Sequence, residues 1–315
     1  MSLSPAPYFE DIAYGPDDGR AHWATTSDNL RIRVGHWPLA GAKGTVLIFP
    51  GRTEFIEKYG QIAGHFATRG MASMAIDWRG QGLSDRMLEN RLIGHVAHFS
   101  DYQKDVAAMV RAARELGMPR PFYLLGHSMG GAIGLRAVME GFGVQSVVFS
   151  APMWGIKIAP HVKPMAWVLS HMMPQVGQGH RLPPGTKLEH HVLADGFKNN
   201  LLTRDQRQFD IMQEQLTAHP DLALGGPSFV WLREALVETR HLANRPAPNM
   251  PCLTYLGTNE RIVDVPAIQT RMEGWKKGRL ELVPEGEHEV LMEAPQATAP
   301  LFDEMVTFFL RAGDS

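Results

Sequence analysis

The sequence predicts an α/β fold with a mostly parallel central sheet and helices on both faces of that sheet. Short apolar runs and amphipathic helical patterns alternate from Thr45 to Ser150. Such alternation is typical of parallel sheets built from strand–helix–strand units. The alternation resumes at Cys252 and continues to Leu310. The residues between these stretches, 151–249, contain helical fragments and no convincing strand.

The individual elements follow from hydrophobic periodicity. The predicted strands are 22–25, 30–37, 45–49, 71–76, 122–125, 147–150, 252–256 and 280–283. Residues 45–49 read Thr-Val-Leu-Ile-Phe, a continuous apolar run that indicates a fully buried strand. The predicted helices are 55–69, 99–116, a segment after Gly130, 266–275 and 298–310. Residues 1–20 hold three prolines and an Asp-Asp-Gly turn signal, so we expect an arm outside the core.

A glycine-flanked serine separates one predicted strand from the helix that follows it. The sequence there is Gly126-His-Ser-Met-Gly130, and a G-x-S-x-G motif in this context is typical of the nucleophile elbow of α/β-hydrolases. The glycines permit a sharp turn in which a Cβ would collide with the strand or the helix. A helix-capping serine is the competing interpretation. We predict that Ser128 is a nucleophile at a helix N-terminus, where developing negative charge is stabilised.

The interruption of the alternation predicts a domain organisation. We expect the first part of the α/β-hydrolase core at 1–150, a helical cap or lid at 151–249, and the second part of the core at 250–315. Ligands of open α/β sheets bind beyond the carboxyl ends of the strands. A cap inserted after the strand that ends near Ser150 leaves the sheet at that edge, so it should lie over Ser128.

A serine nucleophile needs a base and an acid, which follow it in the chain order Ser, acid, His in this fold. His288 lies in a loop between a predicted strand and the last helix, and the other histidines after Ser128 fall within 151–249. The loop after residue 256 offers two carboxylates, Glu260 and Asp264. We predict the catalytic set Ser128, Glu260 and His288. Asp264 remains the alternative acid, although its place before Pro266 suits a helix cap.

Two backbone N–H groups should form the oxyanion hole. Met129 directly follows the nucleophile and supplies one. The loop after residues 45–49, Pro50-Gly-Arg-Thr53, should supply the other, and Arg52 N–H is the predicted donor. Asp77 ends an earlier strand and is interpreted as a structural carboxylate that holds its glycine-rich loop, through Arg79.

Composition limits the class of protein. The formal net charge of the 315 residues is −2, and no basic stripe indicates a nucleic-acid partner. The single cysteine, Cys252, excludes an internal disulfide. No apolar run has the length of a membrane span and the start lacks a signal-peptide pattern, so we expect a cytoplasmic protein with possible transient contact at a membrane surface. No motif implies a cofactor or a metal, and the sequence does not define the oligomeric state.

Four stretches together carry a family resemblance. They are Pro50-Gly-Arg-Thr-Glu-Phe-Ile-Glu-Lys-Tyr59, Asp77-Trp-Arg-Gly-Gln-Gly-Leu-Ser84, Gly126-His-Ser-Met-Gly130 and Gly286-Glu-His-Glu289. This set resembles the lysophospholipase L2 / monoacylglycerol lipase family of α/β-hydrolases. The resemblance implies the same roles for Ser128, His288, Arg52 and Met129. Pro50-Gly51 and Glu260 depart from the His-Gly and Asp that are usual in monoacylglycerol lipases.

The resemblance implies a serine esterase acting on a monoacyl lipid ester, either a lysophospholipid or a monoacylglycerol. Apolar side chains of the predicted cap, namely Met153, Trp154 and Trp167, are candidates for binding the acyl chain. They could equally form the core of the cap. The alternatives are a small-ester esterase, a serine peptidase similar to proline iminopeptidases, and a catalytically silent binding protein with the same fold.

Overall fold

A computed structural model describes residues 3–311 and contains one sheet of nine strands in that range. The strands lie in the order β1-β2-β3-β5-β4-β6-β7-β8-β9. Their bounds are Ser4–Ala6 (β1), Arg20–Thr25 (β2), Arg31–Trp37 (β3), Thr45–Phe49 (β4), Ala72–Asp77 (β5), Phe122–His127 (β6), Val147–Ser150 (β7), Cys252–Gly257 (β8) and Gly278–Val283 (β9). Each strand predicted from the sequence is present within two residues of the predicted ends.

The sheet is antiparallel at one side and parallel elsewhere. Strands β1, β2 and β3 pair antiparallel, and β3 joins β5 in the same sense. All pairings from β5 through β4, β6, β7 and β8 to β9 are parallel. Phe49 pairs with Gly126, and His127 pairs with Ser150. The carboxyl ends of β4, β6 and β7 therefore meet at one edge of the sheet.

Helices cover both faces of the sheet. Their bounds are Glu10–Ala13 (α1), Gly60–Ala67 (α2), Tyr102–Glu115 (α3), Met129–Met139 (α4), Lys163–Gln175 (α5), His191–Ala194 (α6), Gln206–Ala218 (α7), Phe229–Ala243 (α8), Val265–Glu273 (α9) and Pro295–Arg311 (α10). Successive side chains of strand β4 point to opposite faces of the sheet and so contact both helical layers. Val46 and Ile48 pack in a cluster with α2 and α10, whereas Leu47 and Phe49 pack in a cluster with α3, α4 and α9.

Residues 4–13 form elements of the fold, and the prediction of an arm outside the core is wrong for them. Strand β1 extends the sheet by pairing with β2. Helix α1 buries Ile12, which packs in one cluster with Phe55 and Phe209. The apolar pair Ile12-Ala13 is too short to give a periodic signal among the prolines and acidic residues that surround it.

The chain leaves the sheet after β7 and returns at β8, and these two strands are hydrogen-bonded neighbours. The inserted segment, residues 151–251, contains α5 to α8, and no strand is assigned in it. Several apolar residues of this segment, between Val192 and Ala223, form one cluster with Phe55. Phe55 lies in the loop that follows β4. No helix of residues 3–311 has both the length and the apolar character that a membrane crossing requires. The division at 151–249 into a separate cap remains a prediction.

Candidate active site

Ser128 lies at the turn between β6 and α4. Its backbone has φ 49° and ψ −117°, a conformation that a side-chain-bearing residue adopts only under constraint. A Cβ on Gly130 would lie 1.9 Å from the Phe49 carbonyl oxygen, so this position requires glycine. A Cβ on Gly126 would lie 3.0 Å from the Gly130 carbonyl oxygen. The glycines on either side of Ser128 thus allow β6 and α4 to approach each other closely.

The N-terminus of α4 is directed at the same point. Met129 is the first residue of α4, so its N–H has no carbonyl acceptor within the helix. The partial positive charge of a helix N-terminus favours an anion there. The geometry therefore makes Met129 N–H available to a negatively charged oxygen beside Ser128.

The loop after β4 lies against the serine. A Cβ built on Gly51 would be 3.1 Å from Ser128 Cβ. Gly51 N–H donates to Glu54 Oε2, and Thr53 N–H donates to Gln81 Oε1 at 3.2 Å. Between them, Arg52 N–H donates to no group in the described part of the chain. Arg52 N–H is therefore the free donor of this loop, at the position that the sequence predicts for the oxyanion hole.

His288 and Glu260 form a buried pair. The distance from His288 Nδ1 to Glu260 Oε2 is 2.7 Å, and Glu260 Oε1 accepts from the backbone N–H groups of Ile262 and Val263. Burial opposes a charge on this carboxyl group. The hydrogen bond and charge of His288, with the two N–H groups, outweigh burial and lower the pKa of Glu260. An ionised Glu260 fixes the orientation of the imidazole.

The two other carboxylates considered from the sequence have structural contacts. Asp264 accepts from Ala267 N–H at 3.2 Å and caps α9. Asp77 accepts from the N–H groups of Ile56 and Leu83, so it does hold its loop. Its ionic partner is Arg33, at 2.7 Å, rather than the predicted Arg79, which pairs with Asp105.

Ser128 and His288 line the same cavity, which has a volume of about 360 Å³. No hydrogen bond joins their side chains in the described range, and such bonds often tighten only when substrate is bound. One part of the lining is apolar and comes mainly from the inserted segment: Val192, Leu201, Leu202, Phe209, Met212, Leu216 and Ile262. These residues were not predicted as site residues, because their helical pattern indicates a buried face without showing which cavity that face lines.

The three residues predicted to bind the acyl chain do not line this cavity. Met153 is a core residue whose N–H donates to the Ser128 carbonyl oxygen. Trp154 packs against Phe149 and Trp275 and donates from Nε1 to the Gly131 carbonyl oxygen at 3.1 Å. Trp167 lies on α5 and borders a separate cavity. Met153 and Trp154 thus support the turn around Ser128.

A buried ionic network lies directly behind the site. Lys58 Nζ is 2.5 Å from Glu54 Oε1 and 2.5 Å from Glu289 Oε1. His127 Nε2 lies 3.3 Å from Glu289 Oε2, within ion-pair range but without hydrogen-bond geometry. Glu54 also accepts from Tyr59 Oη at 2.6 Å. The network therefore ties the Gly51–Thr53 loop to the residues adjacent to Ser128 and His288.

The spacing of Glu54, His127 and Glu289 would suit a metal ion. The Lys58 ammonium group contacts both carboxylates, so it already supplies a cation at this position. Burial opposes the charge on Glu289, but His127 and Lys58 outweigh burial and hold the pKa of Glu289 well below its usual range. The arrangement therefore fits a structural ion pair better than a metal centre.

His190 and His191 also border the cavity, and their rings stack at a centroid distance of 4.5 Å. His190 is buried, whereas His191 is exposed to solvent. Burial lowers the pKa of His190 well below its usual range. Its neutral ring can therefore act as a hydrogen-bonding group toward a ligand.

Known proteins resemble this chain in sequence. Residues 40–295 match the family described as serine aminopeptidase, S33. Lysophospholipase L2 of Escherichia coli K12 is 30% identical over 302 residues, which cover 91% of this chain and 86% of that protein. The probable lysophospholipase L2 of Haemophilus influenzae is 25% identical over 91% of this chain and 92% of its own length.

A solved structure gives the same fold. The soluble variant of monoglyceride lipase from Saccharomyces cerevisiae superposes with a TM-score of 0.72, at 19% identity, over 98% of this chain and 99% of that one. The mostly parallel sheet of the described residues agrees with this likeness. The chain is therefore a serine hydrolase with the α/β-hydrolase fold, and it belongs to the family described as serine aminopeptidase, S33, and is a relative of lysophospholipase L2.

Proposed function

We propose that this enzyme hydrolyses the ester bond of monoacyl lipids, either lysophospholipids or monoacylglycerols, through an acyl-enzyme intermediate. One observation carries the proposal. The cavity that contains Ser128 and the Glu260-oriented His288 is lined on one side by apolar side chains of the inserted segment. A nucleophile with its base beside an apolar cavity suits an ester that carries a hydrocarbon chain.

The reaction begins at the serine hydroxyl. Ser128 Oγ attacks the carbonyl carbon of the ester while His288 Nε2 accepts the proton, and Glu260 holds the imidazole through Nδ1. The carbonyl oxygen becomes an oxyanion, which the N–H groups of Arg52 and Met129 stabilise. His288 then donates the proton to the departing glycerol oxygen as the carbon–oxygen bond breaks.

The second half of the reaction uses the same groups. His288 takes a proton from water, and the water oxygen attacks the acyl carbon attached to Ser128. A second oxyanion forms at the same two N–H groups. Collapse of this intermediate returns the proton from His288 to Ser128 and releases the fatty acid.

The cavity also supports a single acyl chain. Phe209, Met212 and Leu216 lie on α7 and face the cavity together with Val192 and Leu202. Burial of each methylene contributes about 0.8 kcal/mol, so a long chain gains much of its affinity from this lining. Two relatives are named as lysophospholipases and one structural neighbour as a monoglyceride lipase, and these names agree with a monoacyl substrate.

The peptidase alternative requires a free carboxylate to hold a substrate amino group. Among the described residues that line the cavity, Glu54 and Glu289 both pair with Lys58, and Glu289 also lies 3.3 Å from His127. Asp195 lies 3.6 Å from Lys187, and both of these side chains are exposed. The lining therefore favours an acyl chain over an amine.

A substrate panel tests the proposal. Purified enzyme is assayed on 1-oleoyl lysophospholipids, 1-monooleoylglycerol, p-nitrophenyl esters of increasing chain length and aminoacyl p-nitroanilides, with Ser128→Ala as the control. We expect kcat/KM to rise with acyl length and both lipid classes to be better substrates than the anilides. A steady fall from short to long esters, or preference for the anilides, would contradict the proposal.

A further inference from the structure

Arg52 borders the cavity, and its side chain is a cation without a carboxylate partner among residues 3–311. Its Nη1 donates to the Gly225 carbonyl oxygen at 2.8 Å, and its guanidinium carbon lies 5.4 Å from the centre of the Trp231 ring. The residue is partly exposed and borders the cavity that contains Ser128. Within residues 3–311, no carboxylate forms an ion pair with it and no group accepts a hydrogen bond from its Nε or Nη2.

The two fully buried arginines Arg33 and Arg79 are neutralised. Arg33 pairs with Glu57 and Asp77, and Arg79 pairs with Asp105. Arg86 has no such pair, but both of its terminal nitrogens donate to backbone carbonyl oxygens of its own loop. Arg52 differs from all of these arginines because it keeps free donors beside an open volume.

The free charge persists at neutral pH. Burial lowers the pKa of the Arg52 guanidinium to about 10, so the group remains protonated at pH 7. Its Nε and Nη2 have no hydrogen-bond partner among residues 3–311, so both can donate to a bound anion. The other cation of the lining, Lys58, already contacts two carboxylates. Of these two cations, Arg52 is therefore the one that can still pair with an anionic ligand.

The position of Arg52 defines which part of a substrate it can reach. Its backbone N–H is assigned to the oxyanion hole, so the ester carbonyl carbon lies close to this nitrogen during the reaction. In an arginine, a chain of bonds leads from the amide nitrogen to the guanidinium carbon. A chain with the same number of bonds leads from the carbonyl carbon of a 1-acyl lysophospholipid to its phosphorus. The guanidinium group can thus extend alongside the glycerol backbone toward the phosphate.

We propose that the Arg52 guanidinium binds the phosphate of the head group and makes the enzyme select phosphate-bearing monoacyl lipids over neutral monoacylglycerols. This inference rests on the proposed lipid esterase function. Guanidinium groups bind phosphate oxygens through paired, charge-assisted hydrogen bonds, which neutral glycerol cannot match. Neutral His190 lines the same cavity, and Lys58 is paired with carboxylates, so Arg52 is the cation that can distinguish charged from neutral head groups.

The selectivity ratio tests this assignment. We define it as kcat/KM for 1-oleoyl lysophosphatidylglycerol divided by kcat/KM for 1-monooleoylglycerol, measured in the same detergent micelles. Both substrates transfer the same acyl group, so damage to the oxyanion loop cancels in the ratio. We expect Arg52→Met to lower the ratio at least tenfold, about the effect of losing one charged hydrogen bond. Arg52→Lys should lower it by less.

The control is Arg207→Met. Arg207 is an exposed arginine of α7 paired with Glu214, so its replacement removes one positive charge without touching the cavity. The ratio of this control should match the wild type. If Arg52→Met lowers kcat/KM for both lipids by the same factor, the guanidinium does not select the head group and the proposal is overturned.

A second measurement needs no turnover. Glycerol 3-phosphate should slow the labelling of wild-type Ser128 by a fluorophosphonate, and this protection should weaken at least tenfold in Arg52→Lys and Arg52→Met. Equal protection in all three proteins would overturn the assignment of Arg52. Protection of the wild type that Arg52→Met loses, in a protein that hydrolyses neither lipid, would support the phosphate subsite while refuting the proposed lipid substrate.

Discussion

Glu260 Oε2 lies 2.7 Å from His288 Nδ1, and neither side chain is exposed to solvent by more than a few per cent. A hydrogen bond at Nδ1 leaves Nε2 as the nitrogen that can exchange a proton with Ser128. This relationship assigns Glu260 as the acid of the proposed catalytic set, and it leads to the first prediction.

Glu260→Gln should lower kcat by about a thousandfold, because an amide can hold the imidazole in the wrong tautomer and cannot stabilise the imidazolium. KM and the melting temperature should change little. Steady-state kinetics on a p-nitrophenyl ester measure the loss. The matched control is Asp264→Ala, which removes the cap of α9. It should reduce stability by about 1 kcal/mol and leave kcat near the wild-type value. The opposite pattern would make Asp264 the acid.

Gly130→Ala should prevent correct folding of the elbow, because the new Cβ would overlap the Phe49 carbonyl oxygen. We expect a loss of at least about 3 kcal/mol in the free energy of unfolding, or insoluble protein. The control is Gly64→Ala in α2, where a Cβ meets no atom within 4 Å. That change should stabilise the protein by about 0.5–1 kcal/mol. Urea denaturation measures both, and equal tolerance of the two alanines would contradict the described turn.

Glu289→Gln should destabilise the protein in a pH-dependent way. The folded-state pKa of Glu289 is held well below its ordinary value. The stabilisation from its charge is therefore present above about pH 4.3, the ordinary pKa, and is lost as the pH falls through the folded-state value. We expect a difference of about 2–3 kcal/mol from the wild type at pH 7, because Lys58 keeps its other partner, Glu54.

Urea unfolding of the wild type and Glu289→Gln at a series of pH values from 7 downward measures this difference. It should shrink once the pH falls below the ordinary carboxyl pKa. A difference that stays constant over the whole range would mean that packing, rather than the charge of Glu289, accounts for the loss.

Met212→Trp should shift the preference of the enzyme toward short acyl chains. Met212 lies on α7 in the apolar lining, so a larger ring there occupies space that a long chain would fill. The ratio of kcat/KM for long over short p-nitrophenyl esters should fall about tenfold. Met165→Trp, on the exposed face of α5, is the control and should leave the ratio unchanged. An unchanged ratio in Met212→Trp would place the acyl chain elsewhere.

The core of the fold could be predicted from the sequence because each strand and helix carries its own periodicity. The site was predictable to the extent that its residues follow strands directly. Ser128 follows β6, Glu260 follows β8 and His288 follows β9 within a few residues. The topology of a parallel sheet places such residues at one edge, so their meeting requires no knowledge of side-chain packing.

Features that depend on packing between distant segments were missed. The buried network joins residues from three separate stretches of the chain, Lys58, His127 and Glu289. No local sequence pattern predicts that they contact one another. Trp154 is apolar and follows β7, whose end lies beside that of β6, but it packs toward Trp275 and away from the cavity. Apolar character shows that a side chain is buried, whereas tertiary contacts decide which surface it covers.

Site-resolved labelling with a fluorophosphonate tests most directly whether Ser128 is a nucleophile activated by His288. The wild-type protein should gain one adduct, and peptide mass spectrometry should locate it on Ser128. Ser128→Ala should remain unlabelled, and His288→Ala should label at least a hundredfold more slowly while keeping the wild-type melting temperature. An adduct that persists in Ser128→Ala, or an unchanged labelling rate in His288→Ala, would contradict the proposed mechanism.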